Sequence, residues 1–236
     1  MRIAVSYICV SRGKLTLRFA SRFMATYRQC PAGVEHDVIA VCNGGPPPTD
    51  VGLALLPLNP AVLPRSNDGW DIGGHIEAAR GPAKDHDLIV CLGESVYFHR
   101  PGWLKRIADS FSECGDGMYG IFSSHVLRPH LGTTAFATSP KLLAAYPRPV
   151  HNKEERYEFE HGKQSFWRWL ALCGKPSRLV TFDGCWPPGQ WRVPRNILWR
   201  GDQSNCLVWC NHTDNFQRMP IKAKSFWQFH ADRKAA

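Results

Sequence analysis

The sequence predicts an α/β fold, a mostly parallel central sheet flanked by helices in a single domain with an irregular carboxyl-terminal part. Three observations predict it. Ile3–Val10 and Leu88–Leu92 are unbroken apolar runs bounded by polar residues and breakers, the pattern of strands buried on both faces of a parallel sheet. Between them, Leu15, Phe19, Phe23 and Tyr27 recur every four positions, as one face of a helix over residues 14–28 requires. Residues 37–42 then repeat the strand pattern, so strand, helix and strand read as a right-handed βαβ unit with a parallel pair.

The remaining elements follow in order. Asn43, Gly44, Gly45 and three prolines read as a loop. Residues 51–64, broken by Pro57, Pro60 and Pro64, read as a third short strand and its connection. Ile72, Ile76 and Ala79 have helical spacing, and Gly81 and Pro82 end that helix. Helices are expected over residues 103–111, 140–146 and 165–173, the last closed by Gly174. Strands are expected over residues 118–122, 133–138 and 179–182, with a charged segment over 151–157. Residues 185–199, dense in Pro and Trp, read as an ordered irregular loop. No repeat, low-complexity tract or linker divides the chain, so residues 1–236 read as one domain.

Composition bounds the function. An apolar share of 44% with 9 Trp and 12 Phe suffices for a packed core and excludes wholesale disorder. No apolar run approaches the ~20 residues of a membrane-spanning helix. The amino terminus lacks a small-residue cleavage site and reads as the first strand rather than a signal peptide. Nine scattered cysteines, among them Cys9, Cys42 and Cys91 inside strand-like runs, suit a reducing compartment, and a cytoplasmic location is expected. The net charge of +9 favours polyanionic partners such as nucleic acid, nucleotide phosphates or an anionic membrane surface; a plain solubility bias is the alternative. Lys and Arg form no block, so the charge belongs to a folded face rather than a tail.

Residues 66–104 carry the functional signal. A polar turn (Asn67, Asp68, Gly69), a helix, the buried run Leu88–Leu92 and the acidic tip Gly93-Glu94-Ser95 follow one another. Open α/β sheets bind ligands at the carboxyl ends of their strands, so this order points to a nucleotide site. Asn67-Asp68-Gly69, Leu88–Leu92, Gly93-Glu94-Ser95 and Pro101-Gly102-Trp103-Leu104, in that order, resemble the GT-A glycosyltransferases, in style the inverting family 2. The resemblance covers roughly residues 3–180, and a weaker one links the chain to small phage-type enzymes that glycosylate DNA bases.

The resemblance implies a GT-A-like (Rossmann-like) fold, with a nucleotide-sugar half at about 1–104 and an acceptor half at about 105–236. It implies transfer of a sugar from a nucleotide-sugar donor, a UDP-sugar first, to an acceptor hydroxyl. Donor contacts would come from Ser11, Arg12, Asn43, Asn67, Asp68, Asp71, Gly93, Glu94 and Arg200. Asn43 would replace an Asp that meets base or ribose, and its amide both donates and accepts, so uracil stays readable. Asp68 equally fits a helix cap. The family's divalent metal, Mn or Mg, prefers several oxygen ligands, yet the acidic motif here is reduced to Glu94. Either His212 and Asp214 complete the set with Glu94, or Arg and Lys neutralise the diphosphate instead. Asn211, Thr213 and Asp214 also fit an Asx-type turn, and a zinc site on Cys206, Cys210 and His212 lacks a fourth ligand.

The general base would be Glu160, with Glu158 second and His161 sharing the role, on one side of an extended Glu158-Phe159-Glu160-His161-Gly162. The duller reading puts these charges on an exposed loop, with Glu160 favouring a helix amino terminus. Trp186, Trp191, Arg192 and Arg195, with Trp199 and Arg200, interleave cations and aromatics and would bind the acceptor. DNA carrying hydroxymethylated pyrimidines suits that charge; tryptophans that merely cover the sheet are the alternative. A surface polysaccharide or lipid-linked glycan is the rival acceptor, although no amphipathic membrane helix is evident. A non-catalytic nucleotide- or nucleic-acid-binding module is the rival of another class.

Overall fold

The computed structural model describes residues 1–11, 13–125 and 128–232, so Arg12 lies outside the described residues. The sheet is organised around β1 (Ile3–Val10), which is buried along nearly its whole length. β1 pairs in parallel with β2 (Asp37–Asn43) on one side and with β4 (Leu88–Leu92) on the other, and β3 (Ala61–Arg65) extends the sheet beyond β2. Tyr7 of β1 stacks on Phe23 of α1 (Lys14–Gln29) with ring centroids 4.0 Å apart. Its neighbour Ser6 meets His75 of α3 (Trp70–Arg80) at 2.9 Å. Successive strand residues point to opposite faces, so α1 and α3 cover opposite sides of the same sheet. Both strand faces are thereby buried, which is why β1 and β4 are apolar without alternation.

The remaining strands are β5 (Met118–Gly120), β6 (Ser123–Ser124), β7 (His130–Leu131), β8 (Ala135–Thr138), β9 (Ser177–Thr181) and β10 (Gly184–Trp186). Their order in the main sheet is β10-β9-β5-β8-β4-β1-β2-β3, while β6 and β7 form a separate ribbon. β8 runs antiparallel to both β4 and β5, β10 to β9 and β6 to β7; the other pairs are parallel. The architecture is the expected one, α/β with a mostly parallel central sheet flanked by helices.

Several local expectations are corrected. Residues 49–55 form α2 (Thr49–Leu55), and only Ala61–Arg65 of the proline-broken stretch is a strand. Pro64 is tolerated there because β3 is the sheet edge, where a missing N–H leaves no ladder bond unmade. α4 (Trp103–Cys114) and α5 (Pro140–Ala144) match their expected helices. The charged segment is helical: α6 spans Lys153–His161, capped where the Asn152 side chain accepts from the Glu155 amide at 2.9 Å. Glu158 and Glu160 therefore lie on a helix, not on one side of a strand. α7 (Phe166–Leu172) follows. Asn211–Arg218 forms α8, not a surface turn, and α9 (Ile221–Asp232) comes last.

Candidate functional site

Chain order along the sheet changes direction at β1. The path goes outward from β1 to β2 and β3, then returns to place β4 on the other side of β1. A cleft of about 620 Å³, lined by polar and apolar side chains alike, opens at the carboxyl ends of these strands. β1 contributes Ile8, Val10 and Ser11; β2 contributes Asn43 and Gly44; the end of β4 contributes Gly93, Glu94 and Ser95. The start of α3 adds Asn67, Trp70 and Asp71, α6 adds Lys153 and Arg156, and the start of α8 adds Asn211 and His212. A larger depression of about 840 Å³ lies at the opposite end of β1 around Met1, Arg2 and Asp37. It is at the amino-terminal edge, where α/β sheets do not hold their ligands.

Two backbone features shape the α3 wall. Gly69 has φ 66°, and a Cβ there would collide with the Val150 carbonyl; its amide donates to the His151 carbonyl at 2.9 Å. Trp70 follows at φ 48°, an uncommon conformation for a bulky residue, and it is 37% exposed. Asn43 closes the wall from below: its amide nitrogen donates to the Trp70 carbonyl at 2.9 Å and its oxygen accepts from Arg65 at 2.8 Å. Asn43 thus lines the cleft while its side chain holds the Trp70 turn in place.

The floor is tied down in the same way. Glu94 is buried; its Oε1 accepts from the Val10 amide at 3.2 Å and lies 2.9 Å from the Thr16 hydroxyl. The Gly93 amide donates to the Thr134 carbonyl at 2.8 Å. One residue earlier, Thr133 donates from both its amide (2.9 Å) and its hydroxyl (3.0 Å) to Glu160 Oε1. Burial alone would raise the Glu160 pKa, but His161, the Thr133 amide, His130 and Arg156 outweigh it and hold the pKa at about 2. Glu160 does not line the cleft; it braces the loop that does. Glu158 folds back over Gly162 and accepts from the Gln164 amide at 2.7 Å.

Asp71 is different. It lines the cleft and accepts from Arg156 Nε at 2.9 Å. Burial raises its pKa, the Arg156 charge opposes that, and the Glu160 charge adds to it. The His212 pKa is lowered by burial, with Glu160 and Arg156 acting in opposite senses.

Other expected site residues lie elsewhere. Asp214 points away to α1, where both carboxylate oxygens are held by Arg22 (2.5 and 3.0 Å) and Tyr97 donates to one of them at 2.6 Å. Asp68 is exposed, accepts from Ser66 at 2.8 Å and caps no helix, since Gly69 is the cap residue. Arg200 donates to the Arg192 and Pro194 carbonyls within its own loop. Trp191 is 1% exposed and belongs to the core, donating to the Trp186 carbonyl at 3.2 Å. Trp186 donates to Thr181, and neither Arg192 nor Arg195 lines the cleft.

The side chains do not fit the expected metal. Among the described residues, no three His, Cys, Asp or Glu lie together so as to hold an ion. Asp214 is spent on Arg22, and Glu94 anchors the end of β1. Lys153 and Arg156 are cations that line the cleft; the sequence signal that could have found them is the Asn152–Glu155 cap, which starts a helix there.

No protein-family model matches the chain, and no curated protein matches its sequence. Among solved structures it is similar to S. aureus TarS, with a TM-score of 0.46 and 14% identity. That alignment covers 66% of this chain and 31% of the other, so the chain spans under a third of that protein. Among the described residues, no helix is long and apolar enough to cross a membrane.

Proposed function

We propose that this chain is a glycosyltransferase that binds a nucleotide-sugar donor, a UDP-sugar first among the candidates, in the cleft between β1, β2 and β4. The observation that supports this reading is the position of a 620 Å³ cleft at the carboxyl ends of parallel strands, beside the strand where chain order reverses. Ser11, Asn43, Gly44 and Asn67 would form the nucleoside end, with Trp70 giving the base an aromatic face. Lys153, Arg156 and the amino end of α8 would form the diphosphate end, since a helix amino terminus and nearby cations both favour phosphate. Neutralisation by these groups takes the place of a metal.

Asp71 is the proposed general base. It is in the cleft, Arg156 orients it, and burial moves its pKa toward the working range. In a single displacement the acceptor hydroxyl proton goes to Asp71 and its oxygen bonds the anomeric carbon. The bond to the diphosphate breaks, and the nucleotide leaves with the electron pair. Glu160 is assigned a bracing role instead, because a carboxylate held at a pKa of about 2 is a weak proton acceptor.

A DNA acceptor draws on the charge of +9 alone, since Trp191 is in the core and the other expected acceptor residues lie off the cleft. The test is release of free nucleotide from a panel of sugar nucleotides, with and without chelator. Asp71→Asn should retain donor binding and lose turnover by roughly 10²-fold or more, whereas Glu160→Gln should lose less. Full turnover in Asp71→Asn would remove it as the base. Donor binding without turnover in the unmodified chain would favour the binding-module reading.

A further inference from the structure

The last helix presents a large apolar surface to solvent: Ile221 is 82% exposed, Phe226 58% and Phe229 61%. At ~100° per residue these three and Lys222 share one sector of α9. The opposite side is fixed to the protein. Trp227 stacks on Trp199 with centroids 4.8 Å apart, Ala231 is 6% exposed, and Lys224 lies over the Phe216 ring. Trp199 in turn packs against His212 and Phe216. Three large apolar side chains thus point outward from an anchored helix, a display that marks an interaction face.

The charge of this segment points to the partner. From Arg218 to Ala236 the sequence has five Lys and Arg against one Asp, and Lys222 lies in the exposed apolar sector. We infer that the outer face of α9 docks the protein onto an anionic membrane surface, with Ile221, Phe226 and Phe229 entering the headgroup–acyl boundary and Lys222 beside them meeting the headgroups. Apolar side chains that insert and cations that face anionic lipid are the two requirements of an interfacial helix. A nucleic-acid partner would leave Ile221 without a role, because base stacking needs aromatic or planar faces. A second copy of this chain would set the same basic surface against itself. Residues 221–232 have no regular apolar period in sequence, so this face is visible only once Trp227 is known to turn inward.

The test is co-sedimentation of the full chain with vesicles of phosphatidylcholine alone and with about 30% phosphatidylglycerol, at low and high salt. Binding to the anionic vesicles, weakened by salt, is expected. Phe226→Ser with Phe229→Ser should lower it by about tenfold or more, and Lys222→Glu should lower it at low salt. Ile221→Ser gives an independent variant, and thermal melts verify that each one folds. No sedimentation with anionic vesicles would overturn the inference, as would binding unchanged by the apolar substitutions. So would variants that instead abolish self-association in light scattering or binding to a labelled single-stranded oligonucleotide.

Discussion

Burial would raise the Glu160 pKa, but His161, the Thr133 amide, His130 and Arg156 one helical turn earlier hold it at about 2. The unfolded chain returns it to ~4.3. The folded state therefore binds this proton less readily, and the stabilisation is complete above about pH 4.5 and lost as pH falls toward 2. The size is about 3 kcal/mol, from two pKa units at ~1.4 kcal/mol each. Chemical denaturation of the unmodified chain and Glu160→Gln should differ by that order at pH 7 and converge near pH 2. A pH-independent difference would contradict it. At Gly69 the positive φ and the Val150 carbonyl leave no place for a methyl group, and Gly69→Ala should cost about 2–3 kcal/mol in the same assay. Trp70→Ala should weaken donor binding by roughly tenfold while leaving the melting temperature nearly unchanged, because stacking on a base is worth ~1–3 kcal/mol and the ring is partly exposed.

At the scale of elements, α8 forms one wall of the cleft. It is held to α1 by the Arg22–Asp214 pair, whose side chains are 33% and 13% exposed, and to the loop after β4 by reciprocal bonds between Tyr97 and Trp209 at 2.9 Å. Breaking a partly buried bidentate pair leaves one charge without its partner, so Arg22→Ala should cost about 1–3 kcal/mol. Since α8 presents Asn211 and His212 to the cleft, donor affinity should fall with it, measurable by calorimetry. Stability lost without any change in donor binding would detach α8 from the site. Which elements were legible follows from their chemistry. β1, β4 and α1 carry unbroken or strictly periodic apolar residues, and both strand faces are in fact covered. α6 was hidden because its exposed face is nearly all charged, leaving only Phe159 and His161 buried. α8 escaped because its partner Arg22 lies 192 residues away, beyond any local pattern.

For the whole molecule, the sheet brings residues from seven separate stretches to one edge. The strand tips that line the cleft were legible because position at the end of a buried strand is a local property. Lys153 and Arg156 were not, because only the return of α6 beside Thr133 places them there. The same folding withdraws Asp214, Trp191 and Arg200 into ion pairs, core and loop contacts. With cations rather than carboxylates gathered at the phosphate end, donor affinity in excess chelator should stay within about threefold of its value with Mn. The central claim is that this edge binds a nucleotide diphosphate. Titration calorimetry of the full chain with UDP and a panel of sugar nucleotides tests it most directly. The account predicts saturable binding of at least one of them, weakened by about tenfold or more in Lys153→Ala with Arg156→Ala. No heat with any nucleotide, or binding untouched by those substitutions, would contradict it.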